Sequence, residues 1–376
     1  MPVPFTRSTY EARLCIVRAA LARRQIDALV VTHPPNVRYL TGLAASAGAA
    51  LVTGTDLYLI TDFRYAAAVE RLLDEAALHE IVTPMVGEQP LEQATASLVA
   101  EGQLARVGVE AAHVTLEQHN RLAALQPGAS LVPVSGVVEA ARVRKDDREI
   151  AIFREAAARL SDVATTVLRE VVKPGRTEME IAAEIDWRLR RAGFSRPAFD
   201  TIVASGPNSA LPHAYPTERT LADGEATVLD FGGVYNGYCV DLSRTVLLGS
   251  PSAELRRMHE AVSKAQQAAL AILRPGVAPE EVDAAARKSL GRDGLEEAFG
   301  HSTGHGLGLE VHEAPRLGRR RPDMEPSAPL ETGMVCTVEP GVYVVGVGGV
   351  RIEDDVLVTT DGCELLTRVD RAWRVR

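Results

Sequence analysis

The first 140 residues alternate between segments with helical spacing of apolar side chains and short runs rich in β-branched residues. Leu14, Val17 and Leu21 recur at helical intervals and predict a helix over 10–24, and further helices are predicted over 63–77 and 91–102. Strands are predicted over 28–32, 37–40, 49–52, 57–61, 81–82 and 107–109. This alternation predicts an α/β domain over residues 1–140.

A charged run over 142–149 separates this domain from a second one over 141–376. Apolar positions keep helical spacing from 153 to 171, and Thr177 with Glu180 has the form of a capping box for a helix that ends at 193. A strand over 199–205, helices over 253–273 and 279–290, and strands over 334–338, 342–345 and 350–359 follow. Helices and then β structure occur twice in this order, which predicts an α+β domain with a duplicated arrangement.

Residues 228–245 predict a β-hairpin whose apolar strands each contain an aspartate. Asn236-Gly237 at its centre is the strongest short-range signal for a two-residue turn. With that turn, Asp230 falls opposite Ser243, and Asp241 lies on the same face as Asp230, about 7–8 Å away on the diagonal. No Lys or Arg on this face lies nearby in sequence to compensate the two charges. The hairpin therefore indicates a metal site, unless both aspartates simply face solvent.

A glycine- and histidine-rich stretch over 300–313 and two acidic β runs extend the set of candidate ligands. The glycines at 304, 306 and 308 exclude a stable helix and indicate that the backbone lies close to a neighbour. Residue 316 is an arginine, so the helical zinc signature H-E-x-x-H is absent. The candidate ligands form an oxygen-rich set that suits manganese, cobalt, zinc or iron and, with bridging carboxylates, a pair of ions: Asp230, Asp241, His305, Glu339 and Glu353.

Composition narrows the classes of partner. The 376-residue chain has 41 basic and 50 acidic residues, a net charge of −9, which argues against a nucleic acid or an anionic membrane as partner. A cytoplasmic location is expected, because no stretch approaches about eighteen consecutive apolar residues. The cysteines at 15, 239, 336 and 363 contain no C-x-x-C pair, which argues against a disulfide framework or a zinc ribbon.

The chain resembles the pita-bread metallopeptidases, a family that includes the Xaa-Pro dipeptidases (prolidases), aminopeptidase P and the metal-free creatinases. The resemblance is carried by T-G-H-G-L-G around His305, V-E-P-G around Glu339 and R-I-E-D-D around Glu353. N-V-R-Y-L-T-G over 36–42 and R-K-D-D-R-E-I over 144–150 are similar to the family's N-terminal and junction patterns. It implies a creatinase/prolidase-like α/β domain over 1–140, followed by a pita-bread catalytic domain with a pseudo-duplicated antiparallel sheet over 141–376.

The resemblance also implies two bound divalent ions, with manganese in first place and cobalt, zinc or iron as alternatives. Asp241 and Glu353 would bridge both ions, Asp230 would complete one site, and His305 with Glu339 would complete the other. Bound in this way, two cations lower the pKa of a bridging water and polarise the carbonyl of the scissile bond.

The family pattern assigns further roles around these ions. Glu339 would also transfer a proton, and His213 and His312 would donate hydrogen bonds to the substrate carbonyl and the developing oxyanion. His301 matches a further histidine that contacts substrate.

Two activities share these ions and histidines. An Xaa-Pro dipeptide ends in a free carboxylate, and Arg351, two residues before Glu353 on the same strand face, has a planar fork of donors to bind it. The arginines at 316 and 319–321 are further candidates, and Arg351 could instead be a structural counter-ion. We expect a homodimeric Xaa-Pro dipeptidase that acts on proline-containing di- or oligopeptides. Aminopeptidase P, a creatinase-like hydrolase and a non-catalytic binding module are the alternatives.

Overall fold

The computed structural model describes residues 5–320 and 327–371, together with the backbone of 374 and 375. Arg321, named above among the charged candidates, lies outside these ranges. The chain divides into two compact units, Met1–Arg142 and Val143–Arg376. Among the described residues, every helix is too short or too polar to span a bilayer.

Unit 1 is an α/β domain. Its six strands form one sheet in the order β4-β3-β2-β1-β5-β6, in which β1 is antiparallel to β2 and parallel to β5. The elements follow one another as α1 (Arg7–Arg24), β1 (Ala28–Val31), α2 (Pro34–Thr41), β2 (Gly48–Thr53), β3 (Leu57–Asp62), α3 (Ala66–Glu75), β4 (Thr83–Gly87), α4 (Leu91–Glu101), β5 (Arg106–Glu110), α5 (Leu116–Leu125), β6 (Ser130–Val134) and α6 (Val137–Arg142).

The strand predicted over 37–40 is wrong, because these residues belong to helix α2. Pro34 and Pro35 occupy the first turn of the helix, where a proline has the right φ and its missing N–H costs nothing. Gly42 ends the helix with a positive φ of 84°. Since Val37, Tyr39 and Leu40 are all buried, their apolar run carries no periodicity that could separate a helix from a buried strand.

Unit 2 contains two helix pairs, each followed by a β-sheet. Its elements are α7 (Asp147–Thr166), α8 (Glu178–Arg191), β7 (Arg196–Pro197), β8 (Ile202–Ser205), β9 (Ala226–Asp230), β10 (Gly233–Tyr235), β11 (Tyr238–Val240), β12 (Ser243–Leu248), α9 (Ala253–Ile272), α10 (Pro279–Arg292), β13 (Gly304–Gly306), β14 (Glu313–Leu317), β15 (Val335–Val338), β16 (Gly341–Val344), β17 (Gly348–Arg351), β18 (Asp354–Val358), β19 (Cys363–Leu365) and β20 (Arg374–Val375).

The two main sheets of unit 2 have the strand orders β20-β12-β9-β8 and β14-β13-β15-β18-β19, and β11-β10-β7 and β16-β17 form smaller sheets. The predicted capping box is present at α8. Thr177 Oγ1 accepts from the Glu180 amide at 3.1 Å, and Glu180 Oε2 accepts from the Thr177 amide at 2.9 Å. This pair satisfies two amides that a helix start leaves without intrahelical partners.

Helix α9 shows how the apolar pattern fixes the second half. Its residues Leu255, Met258, Val262 and Ala269 recur every three or four positions and are buried. They belong to one hydrophobic cluster with strand residues of β15 to β18, among them Val338, Val342, Val350 and Val356. The helix therefore covers the strands that flank Glu339 and Glu353.

The glycine-rich stretch lies where two strands approach closely, as the sequence predicted. A Cβ placed on Gly304 of β13 would lie 2.0 Å from the Thr337 carbonyl oxygen of β15. A Cβ on Gly306 would lie 2.1 Å from the Ala314 carbonyl oxygen of β14. Glycine is therefore required for the spacing of the strands that hold His305 between these two positions.

We expect Gly304→Ala to lower the free energy of unfolding by about 1–3 kcal/mol, because the methyl group meets backbone that cannot move aside. The matched control is Gly362→Ala, since a Cβ at Gly362 has no heavy atom within 4 Å. Thermal unfolding of both variants measures the difference. Equal melting temperatures for the two would contradict the close approach.

Candidate metal centre

The hairpin that carries the two aspartates has the predicted register. Asp230 pairs with Ser243 in β9 and β12, and β10 pairs with β11 around the turn. Asn236 and Gly237 have φ angles of 50° and 88°, the positive values that a type I′ turn needs. Alternation of side chains along these strands brings Asp230 and Asp241 into one cleft.

The second half of unit 2 contributes the other three candidate ligands to the same cleft. His305 lies in β13, Glu339 directly follows β15, and Glu353 lies between β17 and β18. Potential ligand atoms of Asp241, His305 and Glu353 lie within 4.8 Å of one another. His305 Nε2 lies 3.4 Å from Glu339 Oε1. The structure thus brings together side chains from both halves that are far apart in sequence.

The free atoms of these side chains fit a cation. Within the described residues, Asp230 Oδ1 and Glu353 Oε1 are buried without a hydrogen-bond partner. Buried carboxylate oxygens without a partner are costly unless a cation binds them. His305 Nδ1 lies 3.1 Å from the Gly306 carbonyl oxygen, so a proton on Nδ1 leaves the Nε2 lone pair directed at the carboxylates.

Burial and mutual repulsion keep protons on this cluster when no cation is bound. Burial raises the pKa of Asp241, and the charges of Asp230 and Asp355 raise it further. Burial also raises the pKa of Glu353, with Asp241 as the next cause. The pKa of Glu339 rises to about 7 through burial. A divalent cation would reverse this by favouring the ionised carboxylates.

Arg351 is the cation that the sequence left unseen near Asp230. It is 3% exposed, and Nη2 donates to Asp230 Oδ2. Nε donates to Ser243 Oγ at 2.9 Å, while Nη1 donates to the Pro212 carbonyl at 3.1 Å and to Tyr343 Oη at 2.6 Å. Each guanidinium nitrogen already has a partner. The assignment of Arg351 to a substrate carboxylate stays a prediction.

His301 is linked to this arginine through Tyr343. His301 Nδ1 lies 2.8 Å from the Ser302 carbonyl oxygen and donates to it, so Nε2 accepts from the Tyr343 hydroxyl at 3.0 Å. Burial lowers the pKa of His301 to about 4, and the charge of Arg351 contributes next. His301 is therefore neutral at pH 7, with its ring held between a carbonyl and a tyrosine.

His213 and His312 line the same cleft. The rings of His305 and His312 have their centroids 4.3 Å apart. Partial burial lowers the pKa of His312, followed by the charge of His213. Burial lowers the pKa of His305 to about 4. The structure therefore brings every histidine named from the sequence to the cleft, with His312 neutral and able to donate one N–H.

Sequence reasoning missed the hydroxyl groups that orient the carboxylates. Ser243 Oγ donates to Glu353 Oε2 at 2.8 Å, and Thr337 Oγ1 donates to Glu339 Oε1 at 3.3 Å. Period-two alternation could have identified Thr337, which lies two residues before Glu339 and on its face. Tyr343 had no such signal, because its contact depends on the pairing of Gly341 with Arg351.

Comparison with known proteins identifies the chain. Residues 151–360 match the model of metallopeptidase family M24, and residues 13–144 match the creatinase/prolidase N-terminal domain. The chain belongs to metallopeptidase family M24. The family and the fold predicted from the sequence resemblance are thereby confirmed, and the peptidase is a metalloenzyme that uses divalent metal ions.

Similar proteins extend over nearly the whole peptidase. A Pyrococcus horikoshii Xaa-Pro dipeptidase is 34% identical over 93% of this chain and 95% of its own length. The structure of an Xaa-Pro dipeptidase from Bacillus anthracis superposes with a TM-score of 0.91, at 35% identity, over 97% of this chain and all of that one. An X-Pro aminopeptidase from Thermotoga maritima gives a TM-score of 0.83 at 32% identity, over 95% of this chain and all of that one.

Removal of divalent ions is expected to make the stability of the peptidase fall as pH rises. The pKa of Glu339 is about 7 in the folded chain against an ordinary value of 4.5, and those of Asp241 and Glu353 are raised as well. Between these values the folded state binds more protons than the unfolded state. The stabilisation is therefore complete below the ordinary pKa and is lost as pH rises through the folded one.

Thermal unfolding in chelator and in excess Mn²⁺, from about pH 5 to about pH 8, measures this effect. We expect the melting temperature in chelator to fall relative to the melting temperature in Mn²⁺ as the pH increases. Glu339→Gln is the control, because it removes the group with a pKa of about 7 and should flatten part of the difference. A constant difference over this range would refute the electrostatic account.

Proposed function

We propose that the peptidase hydrolyses the bond before proline in Xaa-Pro dipeptides, using two divalent ions held by Asp230, Asp241, His305, Glu339 and Glu353. The observation that carries the proposal is the convergence of these side chains in one cleft of about 540 Å³. The Xaa-Pro preference is supported by the printed activities of relatives that match almost the full chain.

The ligand set favours hard divalent ions. Four carboxylates and one imidazole suit manganese first, with cobalt, zinc or iron as alternatives. We assign Asp241 and Glu353 as the residues that bridge both ions. When bound, such ions supply an activated water and polarise the carbonyl of the scissile bond.

Glu339 holds and transfers the proton of the reaction. Burial raises its pKa to about 7, so that both protonation states are accessible near neutral pH. The Thr337 hydroxyl donates to Oε1 and so favours one orientation of the carboxylate. We assign Glu339 the transfer of a proton from the attacking water to the leaving proline nitrogen.

His213 and His312 stabilise the carbonyl oxygen of the substrate. A neutral imidazole donates an N–H without bringing a full positive charge next to the metal ligands, and the lowered pKa of His312 keeps it neutral. Proline supplies no amide N–H, so these contacts must position the bond through its carbonyl side. His301, fixed by Ser302 and Tyr343, forms part of the wall that contacts the substrate.

Two arginines compete for the carboxylate of a dipeptide. Arg316 is exposed, lines the cleft and pairs across β13 and β14 with His305. Arg351 is buried and already bonded to Asp230, Ser243 and Tyr343. We propose that Arg316 binds the substrate carboxylate and that Arg351 positions Asp230. The homodimer and the cytoplasmic location stay predictions.

The substrate preference is tested by kcat/KM for an Xaa-Pro dipeptide beside its Xaa-Pro-Yaa tripeptide, with the Xaa-Ala dipeptide as control. We expect the Xaa-Pro dipeptide to be the best of the three, because only its carboxylate reaches the cleft arginine directly after the proline. A clear preference for the tripeptide would instead assign the peptidase to aminopeptidase P.

The same preparation tests the ions. Chelation should abolish hydrolysis, and reloading with Mn²⁺ should restore it with two ions per chain by elemental analysis. Full activity after complete chelation would favour the metal-free, creatinase-like mechanism. Binding without turnover by the loaded protein would favour a binding module.

The arginines are separated by Arg316→Lys and Arg351→Lys. We expect Arg316→Lys to raise KM for Xaa-Pro dipeptides about tenfold with unchanged metal content, because a point charge replaces a planar fork. Arg351→Lys should lower kcat and metal occupancy, since Asp230 loses its counter-ion. The Xaa-Pro amide, which has no carboxylate, is the control substrate. A dipeptide-specific rise in KM confined to Arg351→Lys would assign the carboxylate to Arg351.

A further inference from the structure

One carboxylate in the cleft has no assigned use. Five acidic side chains of the cleft are accounted for, since four are proposed metal ligands and Glu313 lies 3.5 Å from the Lys145 ammonium. The remaining one, Asp200, is exposed. Its side chain has no hydrogen-bond or ion-pair partner in the parts of the chain that the structure describes.

The local chain direction turns Asp200 toward the cleft. Thr201 Oγ1 donates to Asp186 of α8 at 2.6 Å, which directs the Thr201 side chain away from the metal ligands. Its neighbours Asp200 and Ile202 both line the cleft, together with Phe199. The carboxylate is therefore placed beside two apolar side chains at the cleft wall.

Asp200 and Arg316 lie at opposite edges of the site. Asp200 precedes β8, the edge strand of the first main sheet, and Arg316 lies in β14, the edge strand of the second. A substrate whose carboxylate binds Arg316 directs its N-terminal residue toward the Asp200 edge. This orientation rests on the proposed function.

The distance to the reacting bond distinguishes two possible cations. The α-ammonium nitrogen lies only about 2.5 Å from the scissile carbonyl carbon, because two bonds join them. Ile202 pairs with the ligand Asp230, and Asp200 lies two residues further on, up to about 7 Å along the chain. The α-ammonium group is thus held among the metal ligands. A cation at the end of a long side chain reaches further.

We propose that Asp200 selects a cationic side chain, lysine or arginine, at the N-terminal position of the Xaa-Pro substrate. The aliphatic stem of such a residue packs on Phe199 and Ile202, while its charged end pairs with the Asp200 carboxylate. The peptidase is then specific for basic Xaa-Pro dipeptides within the class of its relatives.

The test compares kcat/KM for Lys-Pro, Met-Pro and Glu-Pro in the loaded wild-type enzyme and in Asp200→Asn. Methionine is the matched neutral residue, because it is unbranched like lysine. We expect the ratio of Lys-Pro to Met-Pro to fall about five- to tenfold in Asp200→Asn through KM, with Met-Pro unchanged and Glu-Pro improved. Added salt should lower the same ratio in the wild type.

Asp361→Asn is the control for net charge, since Asp361 is an exposed turn residue that does not line the cleft. It should leave all three ratios unchanged. Asp200→Lys should reverse the order and favour Glu-Pro over Lys-Pro.

Three results would overturn the inference, and they have different meanings. An unchanged ratio of Lys-Pro to Met-Pro in Asp200→Asn would exclude side-chain selection while leaving the proposed function intact. An equal loss on every substrate would reassign Asp200 to the α-ammonium group. No hydrolysis of any of the three dipeptides by the wild type would refute the proposed function and this inference with it.

Discussion

The cost of gathering four carboxylates in one cleft is the constraint on which the second unit depends. Asp230, Asp241, Glu339 and Glu353 lie largely out of water, where charge is expensive and like charges repel. The pKa values of Asp241, Glu339 and Glu353 are raised for this reason. A fold tolerates such a cluster only where a cation offsets it, as expected of a metallopeptidase.

The surrounding residues divide the cluster into unequal members. Arg351 offsets Asp230, while the hydroxyls of Ser243 and Thr337 donate to Glu353 and Glu339. Asp241 accepts only the Leu242 amide among the printed contacts of its side chain, and its own amide is held by Asp355 Oδ2 at 3.0 Å. The carboxylate with the fewest donors is therefore also the one assigned to both ions.

Local sequence patterns were sufficient to predict much of this arrangement. The Asn236-Gly237 turn set the hairpin register, and alternation placed Asp230 and Asp241 on one face. Helices α8 to α10 followed from apolar spacing and caps. Helix α2 could not be separated from a strand, because it is buried on several sides and carries no amphipathic signal. Local pattern decides a segment only where one of its faces remains in water.

The rest required contacts between distant segments. Arg351 reaches Asp230 and Tyr343 only because β17 lies beside β16 and the end of β9. Asp200 faces the cleft because Thr201 is tied to a preceding helix. Spacing in one strand does not fix which other strand lies opposite, so the sequence could name the chemical types of these residues but not their partners.

The division of ligands between the two halves of unit 2 makes the ions a covalent-like clasp. The first half contributes two aspartates and the second contributes His305, Glu339 and Glu353, while Glu353 N donates to Ser243 O at 3.1 Å across the join. Neither half alone presents a complete site. Each bound ion therefore holds the halves together, and loss of metal loosens a long-range junction as well as a reaction centre. Metal supply thereby sets the lifetime of the folded peptidase as well as its turnover.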